Sequence, residues 1–69
     1  MIDINKKVGL NIRNYRKKKN LSQEQLAFKA GLHRAYIGQI ERGEKNIGVR
    51  NLYKIAKSLG IKTQDLLKE

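Results

Sequence analysis

The chain has no cysteine and no proline, a single histidine, and only 6 acidic residues among 69. Each scarcity closes off a class of function. Without cysteine there can be no disulfide, no thiolate metal site and no cysteine nucleophile. One histidine, His33, cannot supply the ligand set of a side-chain zinc site. Nor does the sequence offer His33 a nucleophile or an orienting carboxylate, so catalysis and a cofactor are not expected. The absence of proline leaves nothing to interrupt helices. No apolar run is long enough to span a bilayer or to act as a signal peptide, so a cytoplasmic protein is the expectation. A chain this short is read as one domain, residues 1–69. It buries only roughly 60% of its unfolded surface, so its helix ends must be well fixed.

What is abundant is positive charge. Lys and Arg number 16 and the formal net charge is +10. A solvated surface can be basic for solubility alone, but an excess of this size in one domain favours a polyanionic partner. Nucleic acid stands ahead of an anionic membrane.

Apolar residues recur with helical spacing throughout, and no stretch alternates long enough for a strand. The first helix is expected from about Asp3, a plausible N-cap, to Lys19, with Ile4, Val8, Ile12 and Tyr15 facing inward. Asn20 suits the left-handed position that ends it, and Leu21 can fold back on the last turn. In LSQEQL, Ser22 and Gln25 form a capping box, stapled by Leu21 and Leu26. The second helix then runs to Gly31. A third starts near His33 and ends at Gly43. Ile47 and Leu52 can staple a fourth across Gly48, which Gly60 and Ile61 close. Thr63 is expected to cap a fifth, QDLLKE. Five short helices with tight turns make a compact all-α domain. Leu26, Ala27, Ile37, Ile40, Leu52, Ile55 and Leu59 are expected to form its core.

The short connection at Gly31 makes the second and third helices cross steeply, a helix-turn-helix spanning about residues 22–43. On a helical wheel Ile37 and Ile40 mark the buried side of the third helix. Ala35, Gly38, Gln39 and Arg42 fall on the opposite arc, with Arg34 at its edge. That arc pairs fork-shaped polar side chains with small residues. Arginine can take both acceptors of guanine and glutamine can pair with adenine, which is what a helix entering the major groove needs. Gly38, costly inside a helix by about 1 kcal/mol, is expected to let the helix sit deeper in the groove.

The stretch SQEQLAFKAGLHRAYIGQIERGEKN resembles the phage repressor and Cro (XRE) type of helix-turn-helix, a likeness running from NIRNYRKKKNLSQ to NLYKIAKSLGI. LAFKAGLHRAYIGQIERG in particular looks like the controller proteins of restriction–modification systems. The resemblance implies a lambda-repressor-like domain that regulates transcription from a promoter operator on double-stranded DNA. Arg34, Ala35, Tyr36 and Gln39 match the positions that read bases. Ser22, Gln23, His33, Arg42, Lys45 and Asn46 match positions that meet phosphate, with Gln23 also able to brace the first-turn reader. Arg16 and Glu41 resemble the family ion pair beneath the recognition helix. His33 and Gly48 depart from the Ser or Thr common at those two caps.

Ile61, Leu66 and Leu67 are either ordinary core closure or, as the resemblance implies, the seam of a homodimer reading two half-sites of a palindrome. Glu24 lies where some family activators touch RNA polymerase. Phe28, on the outer side of the second helix, can pack on the first helix or contact another protein. A second reading is an antitoxin-type interaction module that also autoregulates its operon. A third is a general basic nucleic-acid binder. No small-molecule effector site is evident.

Overall fold

A computed structural model describes residues 3–68. Its described residues form four α-helices and a closing 3-10 turn, with no strand: α1 Ile4–Lys18, α2 Gln23–Ala30, α3 Arg34–Glu41, α4 Val49–Leu59, and the turn Thr63–Leu67. The first four expected helices are present within one or two residues. The fifth is shorter and tighter than expected. Thr63 opens it rather than capping it, while Asp65 accepts a hydrogen bond from the Lys62 N–H at 3.1 Å.

The helix ends follow from their local sequence. Asp3 accepts from the N–H groups of Asn5 and Lys6. Ser22 Oγ takes the Gln25 N–H at 3.0 Å while Gln25 Oε1 takes the Ser22 N–H at 2.8 Å, a complete capping box. Asn20 adopts φ +58°, and the Leu21 N–H returns to the Arg16 carbonyl. Gly31 and Gly60 adopt φ +70°, with the N–H groups of Leu32 and Ile61 bonded back to Ala27 and Ala56. These are the left-handed closures that let helices stop within one residue. His33 caps α3, and Gly48 caps α4, without a side-chain bond.

Every residue named above as core is buried, joined by Val8, Ile12, Ala30, Ala56 and Leu66. Ile4 departs from expectation and is half exposed. The recognition-helix candidate α3 packs on α1 and α2, while α4 packs on α2 and on the 3-10 turn. Gly9 makes the α1–α3 crossing possible. A Cβ there would overlap the Ile40 carbonyl oxygen and stand 3.0 Å from that of Glu41, both backbone atoms that cannot turn away.

Leu66 has no exposed surface, so it cannot belong to a dimer seam. Asn11 of α1 explains why: its side-chain amide donates to the carbonyls of Leu66 at 3.0 Å and Lys68 at 2.7 Å, drawing the C-terminal turn onto α1. Ile61 is partly buried against the core and Leu67 is exposed.

Candidate nucleic-acid interface

The inner side of α3 is anchored by one carboxylate. Glu41 Oε2 accepts from Arg16 Nε at 2.7 Å, and its Oε1 accepts from Arg16 Nη2 at 3.0 Å. Gln23 Nε2 donates to the same Oε1 at 3.0 Å. Both partners of the ion pair are nearly buried, with side-chain exposures of 10% for Arg16 and 3% for Glu41. Arg16 Nη1 also donates to the Leu21 carbonyl at 2.8 Å. The hydrogen bond to Glu41 raises the Arg16 pKa above its ordinary value despite partial burial. One residue each from α1, α2 and α3 therefore meets at this node, which holds α3 to the helices beneath it.

Gly38 adjoins this node and is buried, covered by side chains on the arc one turn before Arg42. A Cβ there would meet Arg42 Nη1 at 3.2 Å and Gln23 Oε1 at 3.6 Å. Gln23 reaches across α3 at this point to bond Glu41, and the bare backbone gives it room. The wheel placed Gly38 on the arc of Arg42 but ignored the α2 side chain lying over that arc, so the bare backbone is covered in this structure.

The outer face is differently made. Arg34 and Ala35 are exposed and Gln39 is partly buried. Arg34 Nη1 donates to Glu24 Oε2 at 3.3 Å, with side-chain exposures of 73% and 74%. Gln23 is committed to Glu41, so it does not brace Arg34; Glu24 does. A pair this exposed is worth at most about 1 kcal/mol and leaves the guanidinium free to exchange partners. At the other end of α3, Arg42 grips Glu44 through Nε at 2.7 Å and Nη2 at 3.2 Å, again in solvent. That contact raises the Arg42 pKa and lowers that of Glu44. His33, Lys45 and Asn46 are exposed, as is Ser22, the N-cap of α2.

Tyr36 is partly buried against the core, and its hydroxyl accepts from Asn51 Nδ2 at 3.0 Å. Asn51 sits in the first turn of α4 and ties that turn to α3. No sequence signal marks it, because 15 residues separate the two partners. Glu24 and Glu44, as the carboxylates that hold the outward arginines, were equally invisible. Phe28 is 87% exposed and does not pack on α1. No group of three or more potential metal ligands occurs among the described residues, and none of their helices is long and apolar enough to cross a membrane.

A helix with a buried anchor on one side and solvated arginines on the other, set across a capped partner helix, is the architecture of the helix-turn-helix. The model of that family matches residues 12–66. The chain belongs to the helix-turn-helix family. Over 60 residues it is 50% identical to the control protein C.BamHI of Bacillus amyloliquefaciens, covering 86% of this chain and 74% of that one. The crystal structure of the restriction–modification controller protein C.AhdI from Aeromonas hydrophila superposes with a TM-score of 0.88. It is 44% identical and covers 90% of this chain and 94% of its own. SinR, a master regulator for biofilm formation solved in complex with DNA, gives a TM-score of 0.85 at 35% identity. That match covers 88% of this chain and 98% of SinR. The all-helical fold and the likeness to controller proteins expected from the sequence are both found.

Proposed function

We propose that this helix-turn-helix regulator binds a palindromic promoter operator in double-stranded DNA as a symmetric dimer, in the manner of a restriction–modification controller protein. The observation that carries the reading is the outer face of α3. Arg34 and Gln39 lie about one and a half turns apart, with a small residue, Ala35, one turn before Gln39, on a helix fixed from below by the Glu41 node. Arginine and glutamine offer the paired donors and acceptors that distinguish base edges in the major groove. Tyr36, steadied by Asn51, and Ala35 complete that surface.

Ser22, Gln23, His33, Arg42, Lys45 and Asn46 take the phosphate contacts, which position the protein and carry little sequence information. Gln23 keeps one amide hydrogen for this while the other is held by Glu41. Arg42 exchanges Glu44 for phosphate. Its exposed pair costs little to break. The control and controller proteins among the relatives, and the SinR complex with DNA, support the same reading. For the seam, Ile61 and Leu67 remain and Leu66 is excluded by its burial. A two-fold pair would then set its recognition helices roughly 34 Å apart.

Selection of bound sites from random duplex DNA tests the reading. The expected product is a palindrome with half-sites about one helical turn apart. Recovery of no preferred sequence would make the protein a general basic binder and overturn it.

A further inference from the structure

The recognition face accounts for only part of the positive charge. Its two arginines are already matched to carboxylates, Arg34 to Glu24 and Arg42 to Glu44, which leaves Lys45. Further unmatched charge lies elsewhere. Two adjoining grooves between the C-terminal ends of α2 and α4 share Lys29, Lys57 and Ser58, and add Lys54 on one side and Lys19 on the other. All four lysines are exposed. Among the described residues, no carboxylate lines either groove. Glu24, Glu41, Glu44 and Asp65 are taken by Arg34, Arg16, Arg42 and Lys68, and Asp3 caps α1.

The simplest account of these lysines is compensation of helix dipoles. α1, α2 and α4 all end at this place. Lys19 follows α1, Lys29 and Lys57 sit in the last turns of α2 and α4, and the Lys19 Nζ lies 3.8 Å from where a Cβ on Gly60 would stand. Each C-terminus carries about −0.5 of an elementary charge, so three supply roughly −1.5 against four ammonium groups. More than half of the positive charge is left over. Crowding like charges without a counter-charge is unfavourable, and a bound anion relieves it.

The groove also faces away from the α3 surface. Gln23 and Asn51 place the N-terminal ends of α2 and α4 beside α3. Lys57 is six residues beyond Asn51 along α4, roughly 9 Å. A second copy of this chain docked two-fold through the same groove would bring four more lysines to the same spot, so such a pairing is the wrong occupant. Lysine ammoniums act as point charges on phosphate, and four of them without an arginine fork suit a backbone rather than a base edge.

We propose that the Lys19–Lys29–Lys54–Lys57 groove is a second, sequence-independent contact for a sugar–phosphate backbone, taking a duplex other than the one under α3. The choice of duplex DNA as occupant rests on the DNA-binding reading above; the charge imbalance does not.

A capture assay tests it. The operator duplex recovered by selection is immobilised and saturated with protein, and a short labelled duplex of unrelated sequence is added at low salt. Capture is expected, and Lys29→Gln, Lys54→Gln and Lys57→Gln together should reduce it about tenfold or more, since each lost phosphate contact removes counterion release. Operator affinity and far-ultraviolet circular dichroism should stay unchanged. A control variant loses the same charge elsewhere through Arg13→Gln, Lys18→Gln and Lys62→Gln, and should still capture. Absence of capture by the unmodified protein, or equal loss in the control variant, overturns the groove. An acidic polypeptide that displaces the duplex at matched charge would also overturn it, in favour of a protein partner. If no operator is recovered, the DNA reading fails by itself. The groove is then tested by the salt slope on a single unrelated duplex, which the triple variant should flatten by about 2 to 3 units and the control should not.

Discussion

α3 carries the same chemistry on its two sides in opposite surroundings. Beneath it, Arg16 and Glu41 form a two-point ion pair that solvent scarcely reaches. Above it, Arg34 and Glu24 meet through one 3.3 Å contact with about three quarters of each side chain in water. Burial makes the first pair structural, because either partner alone would be a charge left in a low-dielectric site. Solvent makes the second exchangeable, because water replaces the lost partner at little cost. The same residue types thus serve as a fixed anchor on one side and as a held but releasable side chain on the other. A helix that must stay put while its outer side chains change partners needs both.

The sharpest way to break this contrast is at the anchor. Glu41→Ala should destabilise the fold by about 3–5 kcal/mol, read from urea or thermal unfolding. Changing both partners to apolar residues, Arg16→Met with Glu41→Leu, should recover much of that loss. A cost for Glu41→Ala below about 1 kcal/mol would place the inner pair in the same class as the outer one.

The next effect belongs to the outer side and is read in binding. Arg34→Ala should leave unfolding unchanged while weakening operator binding by about 1–3 kcal/mol, with little loss on random duplex. Equal losses on both DNAs would reduce Arg34 to a phosphate contact.

Gly38 lies between the two sides and sharpens the comparison with Gly9. At Gly9 the obstruction is backbone, so a side chain has nowhere to go. At Gly38 the neighbours are the ends of the Arg42 and Gln23 side chains, which can move by a few tenths of an ångström. Gly38→Ala should therefore stabilise the helix by up to about 1 kcal/mol, whereas Gly38→Leu should push Gln23 off Glu41. Destabilisation by Gly38→Ala would mean that the Gln23 bridge tolerates no shift at all.

The smallest effect is at the C-terminal turn. The Lys68 ammonium, with help from the Lys62 N–H, holds the Asp65 carboxyl below its ordinary pKa. A lowered folded-state pKa contributes stability above the unfolded value, and that contribution fades as pH falls through the folded one. The loss should therefore occur below about pH 4. Asp65→Asn should lower stability slightly at neutral pH, leave it nearly unchanged well below about pH 4, and so flatten the acid limb of the stability–pH curve.

Much of this was legible along the chain because it is local. The Ser22–Gln25 box, the turns at Asn20, Gly31 and Gly60, and the alternation of buried and exposed positions on α3 all depend on residues within four or five of each other. The misreadings share one cause. Gly38 looked bare until Gln23, from another helix, was seen to cover it. Leu66 looked available until Asn11, 55 residues away, drew it inward. A helical wheel knows one helix, and both errors are made by a second.

The sequence by itself determined an all-helical, strongly basic domain with a turn at Gly31 and polar side chains on the outer arc of α3, because composition, capping and periodicity are properties of neighbours along the chain. Only the tertiary structure decided which arginine is buried and which is free, what Gly38 makes room for, and that unmatched lysines gather where three helices end. Those depend on distances between residues far apart in sequence, and on how much water is left between them.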